Sequence, residues 1–102
     1  MSLQLFNLTG KRALITGSSQ GIGFALARGL AAAGASIVLN GRDTARLAAA
    51  ATSLRKDGAV VDLLAFDVTD HDVVRASIDG FEAATGPIDI LINNAGMQHR
   101  TA

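Results

Sequence analysis

A glycine-rich segment of the chain has residue types that suit the binding of an anion. It reads Gly17, Ser18, Ser19, Gln20, Gly21, Ile22 and Gly23, and it lies between an apolar run and a helical pattern. At a strand-to-helix turn, backbone amides and the helix N-terminus point at one spot and attract a phosphate. A dinucleotide turn needs glycine for the tight bend, for close approach of the pyrophosphate and for helix packing. We predict a pyrophosphate site here, although glycines also occur in ordinary turns.

The same segment carries a second motif with a different chemistry. Residues 17–21 spell G-x-S-x-G, the nucleophile elbow of α/β-hydrolases, which would make Ser19 a nucleophile. Asp67 or Asp89 and then His99 follow in the order that this fold uses. In such enzymes, however, earlier strands supply the oxyanion hole, and only a short tail precedes the first apolar run here. A serine hydrolase is therefore kept as the alternative to a nucleotide site.

The segment Asn40-Gly41-Arg42 follows the second apolar run and bears on which nucleotide would bind. It lacks the acidic residue that accepts hydrogen bonds from the ribose hydroxyls of NAD. Arg42 is placed to bind a 2′-phosphate instead, because a guanidinium makes charge-assisted hydrogen bonds to phosphate. Asp43, the next residue, could still reach a 2′-hydroxyl. These residues favour NADP and leave NAD as the alternative.

Two more strand ends carry residues that suit a nucleotide. Asp67 and Val68 follow the third apolar run, and a capping box beginning at Thr69 is expected to leave the Asp67 carboxylate free for an adenine amino group. The fourth run ends in Asn93, Asn94, Ala95 and Gly96. We expect Gly96 to allow close approach of a ligand, Asn93 to tie neighbouring strands together, and Asn94 and Ala95 to face the cofactor.

The elements that position these residues alternate along the chain. Apolar runs predict strands at 12–16, 36–39, 60–66 and 88–92. Periodic patterns predict helices at 22–33, at 45–55 with Asp43 as N-cap, and from 69 to the Gly86-Pro87 pair. In the first helix the residues at helical spacing are Ile22, Leu26, Gly29, Leu30 and Ala33. Alternation of this kind indicates an α/β fold, a Rossmann-type doubly wound parallel sheet with strand order 3-2-1-4. Ligands of such sheets bind beyond the carboxyl ends of the strands.

Composition limits the class of protein further. The chain has 102 residues, nine basic and nine acidic side chains, and no cysteine. The balanced charge disfavours nucleic acid and membrane surfaces as partners, and the missing cysteines exclude disulfides, thiolate metal sites and a cysteine nucleophile. We expect a single domain, no metal site, no membrane span and a cytoplasmic location.

The three motifs T-G-S-S-Q-G-I-G, F-D-V and N-N-A-G, in this order, resemble the short-chain dehydrogenase/reductase family over the whole chain. The resemblance implies pyrophosphate contacts at Gly17 to Gly23, adenosine selection at Arg42, adenine contacts at Asp67 and Val68, and ribose-side contacts at Asn94 to Gly96. Gln20 departs from NADP-preferring relatives, which often carry a basic residue at this position.

Within that family the chain is most similar to gluconate 5-dehydrogenases, in L-F-N-L at 5–8, Q-G-I-G-F at 20–24 and N-N-A-G-M-Q-H-R at 93–100. The similarity implies reversible reduction of 5-keto-gluconate, or of a similar polyhydroxy or keto acid, by NADP or NAD. It also implies a homo-oligomer, a tetramer or a dimer.

The residues that carry out catalysis in this family are expected to lie outside these 102 residues. The family uses a tyrosine to protonate the carbonyl and a lysine four residues later to lower its pKa. This chain has no tyrosine, and Lys11 and Lys56 lie outside any such motif. We therefore expect residues 1–102 to form the N-terminal dinucleotide-binding part of a single Rossmann domain whose catalytic half is absent. A non-catalytic nucleotide-binding module is the alternative.

Overall fold

Four parallel strands and three helices make up the described part of the chain. The computed structural model describes residues 7–95 of the 102. The elements in chain order are β1 (Arg12–Ile15), α1 (Gly21–Ala32), β2 (Ser36–Gly41), α2 (Thr44–Lys56), β3 (Val61–Ala65), α3 (His71–Ala84) and β4 (Ile90–Ile92). The sheet order is β3-β2-β1-β4 and every neighbouring pair is parallel, which confirms the predicted topology.

The core lies between one face of the sheet and the helices α1 and α2. Ala13 and Ile15 of β1 and Ile37 and Leu39 of β2 point to this face and are fully buried, because alternate residues of a strand share a face. The inner side of α2 buries residues spaced three and four apart: Leu47, Ala50, Ala51 and Leu54. This layer holds the strand ends beneath the candidate site in a fixed arrangement.

The inner face of α1 differs from the one that its apolar spacing predicted. Ile22 and Leu26 belonged to the predicted stripe, but their side chains are 68% and 37% exposed. The buried residues are Gly23 and Ala27 instead. At position 23 only glycine fits, because an added Cβ would lie 2.3 Å from the carbonyl oxygen of Gly17.

Helix α3 crosses back over the second face of the sheet. The chain runs along the sheet from β1 through β2 to β3 and then returns past β2 and β1 to β4. Because each connection is right-handed, the helix on the return, α3, lies on the face opposite α1 and α2. None of its residues is buried. An open cavity of about 430 Å³ lies on this face, lined by Val74 and Ile78 of α3 and by Leu91 of β4, among others.

Helix α3 begins one residue later than the predicted capping box, because its N-cap is not Thr69. The N-cap is Asp70, whose Oδ1 accepts a hydrogen bond from the Val73 amide at 3.2 Å. The hydroxyl of Thr69 donates to Asp67 at 2.7 Å instead of capping the helix. Helix α2, by contrast, has the predicted N-cap, Asp43, whose side chain accepts hydrogen bonds from the amides of Ala45 and Arg46. No helix within residues 7–95 is long and apolar enough to cross a membrane.

Candidate functional site

The segments that follow the four strands meet at the carboxyl edge of the sheet, where two adjoining cavities open. Both are lined by Gly17, Gly41 and Arg42. The strand-3 cavity, of about 340 Å³, is completed by Asn40, Phe66, Asp67, Val68, Thr69 and Ala95. The glycine-loop cavity, of about 510 Å³, is completed by Ser19, Gln20, Gly21, Asp43 and Arg46. Most of the residues predicted from sequence to bind the cofactor therefore lie around one mouth.

The glycine loop, residues 17–23, depends on two of its glycines for different reasons. Gly17 has φ +60°, a left-handed conformation that residues with a Cβ rarely adopt. At Gly23 an added Cβ would lie 2.3 Å from the carbonyl oxygen of Gly17 and 2.6 Å from Nδ2 of Asn94. The third glycine thus allows α1 to pack against the loop, in the role that the motif predicted.

Ser18 and Ser19 differ in what they present to the site. The hydroxyl of Ser18 is buried; it donates to the carbonyl of Ile15 at 2.6 Å and accepts from the Asn40 amide at 3.0 Å. Ser18 therefore shapes the loop from within, and its predicted contact with a pyrophosphate remains a prediction. Ser19 is half-buried and lines the glycine-loop cavity with Gln20, where both side chains border the space available to a ligand.

Asn40 is a site residue whose role the sequence did not reveal. Its side chain is 1% exposed; Oδ1 accepts from the Gly17 amide at 3.0 Å, and Nδ2 donates to the carbonyls of Leu64 and Phe66 at 2.9 and 3.3 Å. One amide thus joins the glycine loop to the end of β3. The sequence did contain one signal for this role: Asn40 is a polar residue at the end of an apolar strand. A polar side chain that is buried there needs hydrogen-bond partners.

Arg42 and Asp67, both predicted to bind the adenosine portion, form an ion pair. Nη1 of Arg42 lies 3.5 Å from Oδ2 of Asp67, and both side chains remain substantially exposed. Oδ1 of Asp67 also accepts from the amide and hydroxyl of Thr69, at 2.9 and 2.7 Å. These hydrogen bonds first, and then the nearby guanidinium, lower the pKa of Asp67. The expectation of a carboxylate without partners was wrong, while its contact with adenine remains a prediction.

A second guanidinium, that of Arg46, reaches the glycine loop from the first turn of α2. Its Nη1 lies 3.4 Å from Oε1 of Gln20, and its Nε lies 3.6 Å from Oδ2 of Asp43. The sequence analysis did not identify this residue. The sequence did contain one signal for Arg46: it lies four residues after Arg42. Residues four apart can lie on the same side of the chain at the start of a helix.

The segment after β4 closes against the glycine loop. The hydroxyl of Thr16 donates to Oδ1 of Asn93 at 3.2 Å, so Asn93 links neighbouring strands as predicted. The same Thr16 hydroxyl accepts from the Ala95 amide at 3.1 Å. Asn94 is 1% exposed and its Nδ2 donates to the carbonyl of Gly17 at 3.1 Å. The predicted cofactor contacts of Asn94 and Ala95 remain predictions, and Gly96 lies outside the described residues.

The arrangement disfavours the hydrolase alternative. Asp89, one of the two acidic candidates for a triad, lies at the opposite edge of the sheet from Ser19, where its Oδ2 accepts from the Arg12 amide at 2.9 Å. The other candidate, Asp67, already partners Thr69 and Arg42. His99 lies outside the described residues. The geometry instead offers small loop residues and exposed guanidinium groups at one edge, which suits an anionic ligand rather than a nucleophile.

Comparison with known proteins gives consistent matches. The family model for short chain dehydrogenases matches residues 11–102. A gluconate 5-dehydrogenase from Gluconobacter oxydans is 51% identical over 94% of this chain and 38% of that protein. A 5-keto-D-gluconate 5-reductase from Escherichia coli K12 is 45% identical over 94% of this chain and 38% of that protein.

Solved structures show the same similarity. A gluconate 5-dehydrogenase from Burkholderia cenocepacia, in complex with NADP and tartrate, superposes with a TM-score of 0.81 at 54% identity, over 89% of this chain and 36% of that chain. The L-sorbose reductase from Gluconobacter frateurii, complexed with NADPH and L-sorbose, gives 0.78 at 44% identity, over 84% and 33%. This chain thus spans little more than a third of the length of the relatives it matches.

Proposed function

Because this chain belongs to the short chain dehydrogenase family, we propose that it forms the dinucleotide-binding part of an oxidoreductase that prefers NADP. The observation that carries the proposal is the meeting of the glycine loop and Arg42 at one edge of the sheet. The loop suits a pyrophosphate, and the guanidinium suits a 2′-phosphate. The NADP and NADPH bound by two similar structures support this choice.

In the proposal, the residues present bind the adenine, the 2′-phosphate and the pyrophosphate of such a cofactor. In the proposal, the strand-3 cavity holds the adenine between Arg42 and Val68, with Asp67 as hydrogen-bond acceptor. The backbone of the glycine loop holds the pyrophosphate at the start of α1. The residue before Arg42 is Gly41, so this position has no carboxylate that would repel a 2′-phosphate. A bound nicotinamide cofactor would supply the hydride, and the residues of this chain would fix its adenosine end.

The substrate that we propose is 5-keto-gluconate or a similar polyhydroxy or keto acid. Support comes from the relatives, since those named above include a gluconate 5-dehydrogenase and a 5-keto-D-gluconate 5-reductase. Reduction of a ketone by hydride needs an acid that protonates the carbonyl oxygen. This chain contains no tyrosine for that role. In the proposal, its contribution is to bind and orient the cofactor.

Direct titration tests the proposal. NADPH and NADH are titrated into the protein by isothermal calorimetry. We expect both nucleotides to bind, with NADPH binding about tenfold more tightly, because the 2′-phosphate gains a charge-assisted contact. Absence of binding by either nucleotide would contradict the proposal, whereas tighter binding of NADH would contradict only the preference for NADP.

A further inference from the structure

The glycine-loop cavity holds two guanidinium groups, although the sequence indicated one. Arg42 follows β2, and Arg46 lies in the first turn of α2; both line this cavity. The contacts of Arg46 use Nη1 for Gln20 and Nε for Asp43, and in the part of the chain that the structure describes its Nη2 has no partner. The Arg46 side chain is 61% exposed, so a ligand can reach it.

The cavity is positive in balance despite the carboxylate of Asp43. Oδ1 of Asp43 caps α2 by accepting from the amides of Ala45 and Arg46, and negative charge at a helix N-terminus is stabilised. These capping bonds also occupy first-turn amides that could otherwise bind an anion. A phosphate on the α2 side of this cavity must therefore be held mainly by arginine side chains. Two guanidinium groups suit the double negative charge of a phosphate monoester.

We propose that Arg46 is the second cation that selects the 2′-phosphate of NADP, an inference that rests on the function proposed above. In this arrangement Oε1 of Gln20 accepts a hydrogen bond from Arg46 and orients the guanidinium over the glycine loop. The pairing accounts for a neutral side chain at position 20, because a lysine there would repel Arg46 at this distance. Arg46 thus supplies from α2 the positive charge that the loop itself lacks.

Four ligands and two variants test the proposal. NADPH, NADH, 2′,5′-ADP and 5′-AMP are titrated by calorimetry into the wild type, into Arg46→Gln, and into Arg28→Gln as the charge-matched control. Arg28 donates to Ser53 and does not line either site cavity. We expect Arg46→Gln to weaken NADPH and 2′,5′-ADP about fivefold and to leave NADH and 5′-AMP unchanged, as loss of one exposed phosphate contact predicts. The control should change none of the four.

The pattern of losses separates the possible roles of Arg46. An equal loss for NADPH and NADH would overturn the proposal and assign Arg46 to the shape of the loop. Unchanged NADPH affinity would overturn it as well, while leaving the proposed function standing if the wild type binds both nucleotides. A wild type that binds neither would defeat the proposed function and this inference together. Arg46→Lys, which keeps the charge, should retain part of the preference for NADPH over NADH.

Discussion

The side chain of Asn40 sets the geometry of the glycine loop from inside the sheet. Its Oδ1 accepts from the first amide of the loop, while its Nδ2 donates to the end of β3. Its backbone exchanges hydrogen bonds with Ser18 as well. Because all these groups are buried and partnered, the loop cannot shift without leaving a polar group unsatisfied. The loop is therefore held in one conformation.

Substituting Gly23 should destroy the loop while leaving the helix itself intact. We expect Gly23→Ala to lower the free energy of unfolding by about 1–3 kcal/mol and to abolish nucleotide binding, because its Cβ would overlap the carbonyl of Gly17. The control is Gly29→Ala on the same helix, where a Cβ meets nothing within 4 Å. That change should raise stability by about 0.5–1 kcal/mol. Urea unfolding measures the stability of the two variants. Equal changes in the free energy of unfolding for Gly23→Ala and Gly29→Ala would refute the steric explanation.

Gly41 offers a direct route to a changed cofactor preference. A Cβ added there would meet Oγ of Ser19 at 3.4 Å and the Leu47 side chain at 3.5 Å, which are ordinary contacts. An aspartate should therefore fit, repel a 2′-phosphate and accept hydrogen bonds from ribose hydroxyls. We expect Gly41→Asp to weaken NADPH at least tenfold, the effect of about 1.4 kcal/mol, and to strengthen NADH. Gly41→Ala is the control for the added volume. If Gly41→Ala lost as much NADPH affinity as Gly41→Asp, the result would contradict the charge argument.

Asp67 should contribute a pH-dependent part of the stability. Its pKa in the folded protein is lowered from 3.8, first by the hydrogen bonds from Thr69 and then by Arg42. A depressed folded pKa contributes stability above the unfolded value, and that contribution is lost as the pH falls through the folded value. We expect Asp67→Asn to be less stable than the wild type near neutral pH. In urea titrations over a pH series, the difference should shrink below about pH 4; a constant difference would exclude the ionised carboxylate as its source.

At the scale of elements, the three helices are bound to the sheet to different degrees. Helix α2 buries four residues, α1 buries two, and α3 buries none. The free energy that protects backbone amides from exchange derives largely from such burial. Helix α3 should consequently open without disturbing the layer of α1 and α2 that positions the candidate site.

Hydrogen exchange checks this ranking of the helices. We expect the amides of α3 to exchange through local opening, with a lower protection free energy than those of α2, because α2 can open only by exposing its buried face, which includes Leu47 and Leu54. Exchange followed by mass spectrometry on peptides from the two helices makes the comparison. Equal protection of both helices would show that they open as one unit and would contradict the expectation.

The sequence predicted the elements well where a local pattern decides them, and poorly where a distant contact decides. Strand order and the three helices follow from alternation, and Asp43 is a cap that its own neighbours define. Thr69 and Asp70 are both favourable N-cap residues for α3. Asp70 is the N-cap in the structure, because the hydroxyl of Thr69 donates to Asp67 instead. The inner face of α1 was predicted from its larger residues, whereas close packing selected Gly23 and Ala27.

The candidate site divides in the same way. Its glycine loop and Arg42 were identified from motif and position. Asn40 and Arg46 were missed because the partners that join them to the glycine loop, Gly17 and Gln20, lie more than twenty residues away in the chain. Hydrogen bonds of this range leave no periodic signal in a sequence.

At the scale of the whole molecule, the two edges of the sheet have separate tasks. The carboxyl edge carries the glycine loop and both cavities. The opposite edge carries a structural network, in which Asp89 accepts from the Arg12 amide and the Arg12 guanidinium donates to the Pro87 carbonyl and lies 5.8 Å from the centre of the Phe81 ring. This network fastens the end of α3 and the start of β4 to β1.

Changes at that opposite edge should affect stability without affecting binding. We expect Asp89→Ala to lower the free energy of unfolding by about 1 kcal/mol, the typical value of one hydrogen bond. The affinity for NADPH should stay unchanged, because the site lies at the other ends of the strands. Urea unfolding and calorimetric titration of the same preparations provide the two measurements. A loss of affinity in folded protein would show that the two edges are coupled.

The hydrogen bond from the Gly17 amide to the Asn40 side chain also makes the candidate site a reporter of correct strand alignment. If β2 slipped by one residue against β1, Leu39 or Gly41 would take the place of Asn40, and neither has a side-chain amide to accept from Gly17. Only the native alignment would then bind a dinucleotide. Mass action favours the form that binds, so a cofactor present during refolding would select the aligned sheet over its slipped competitors and act as a template for the protein that uses it.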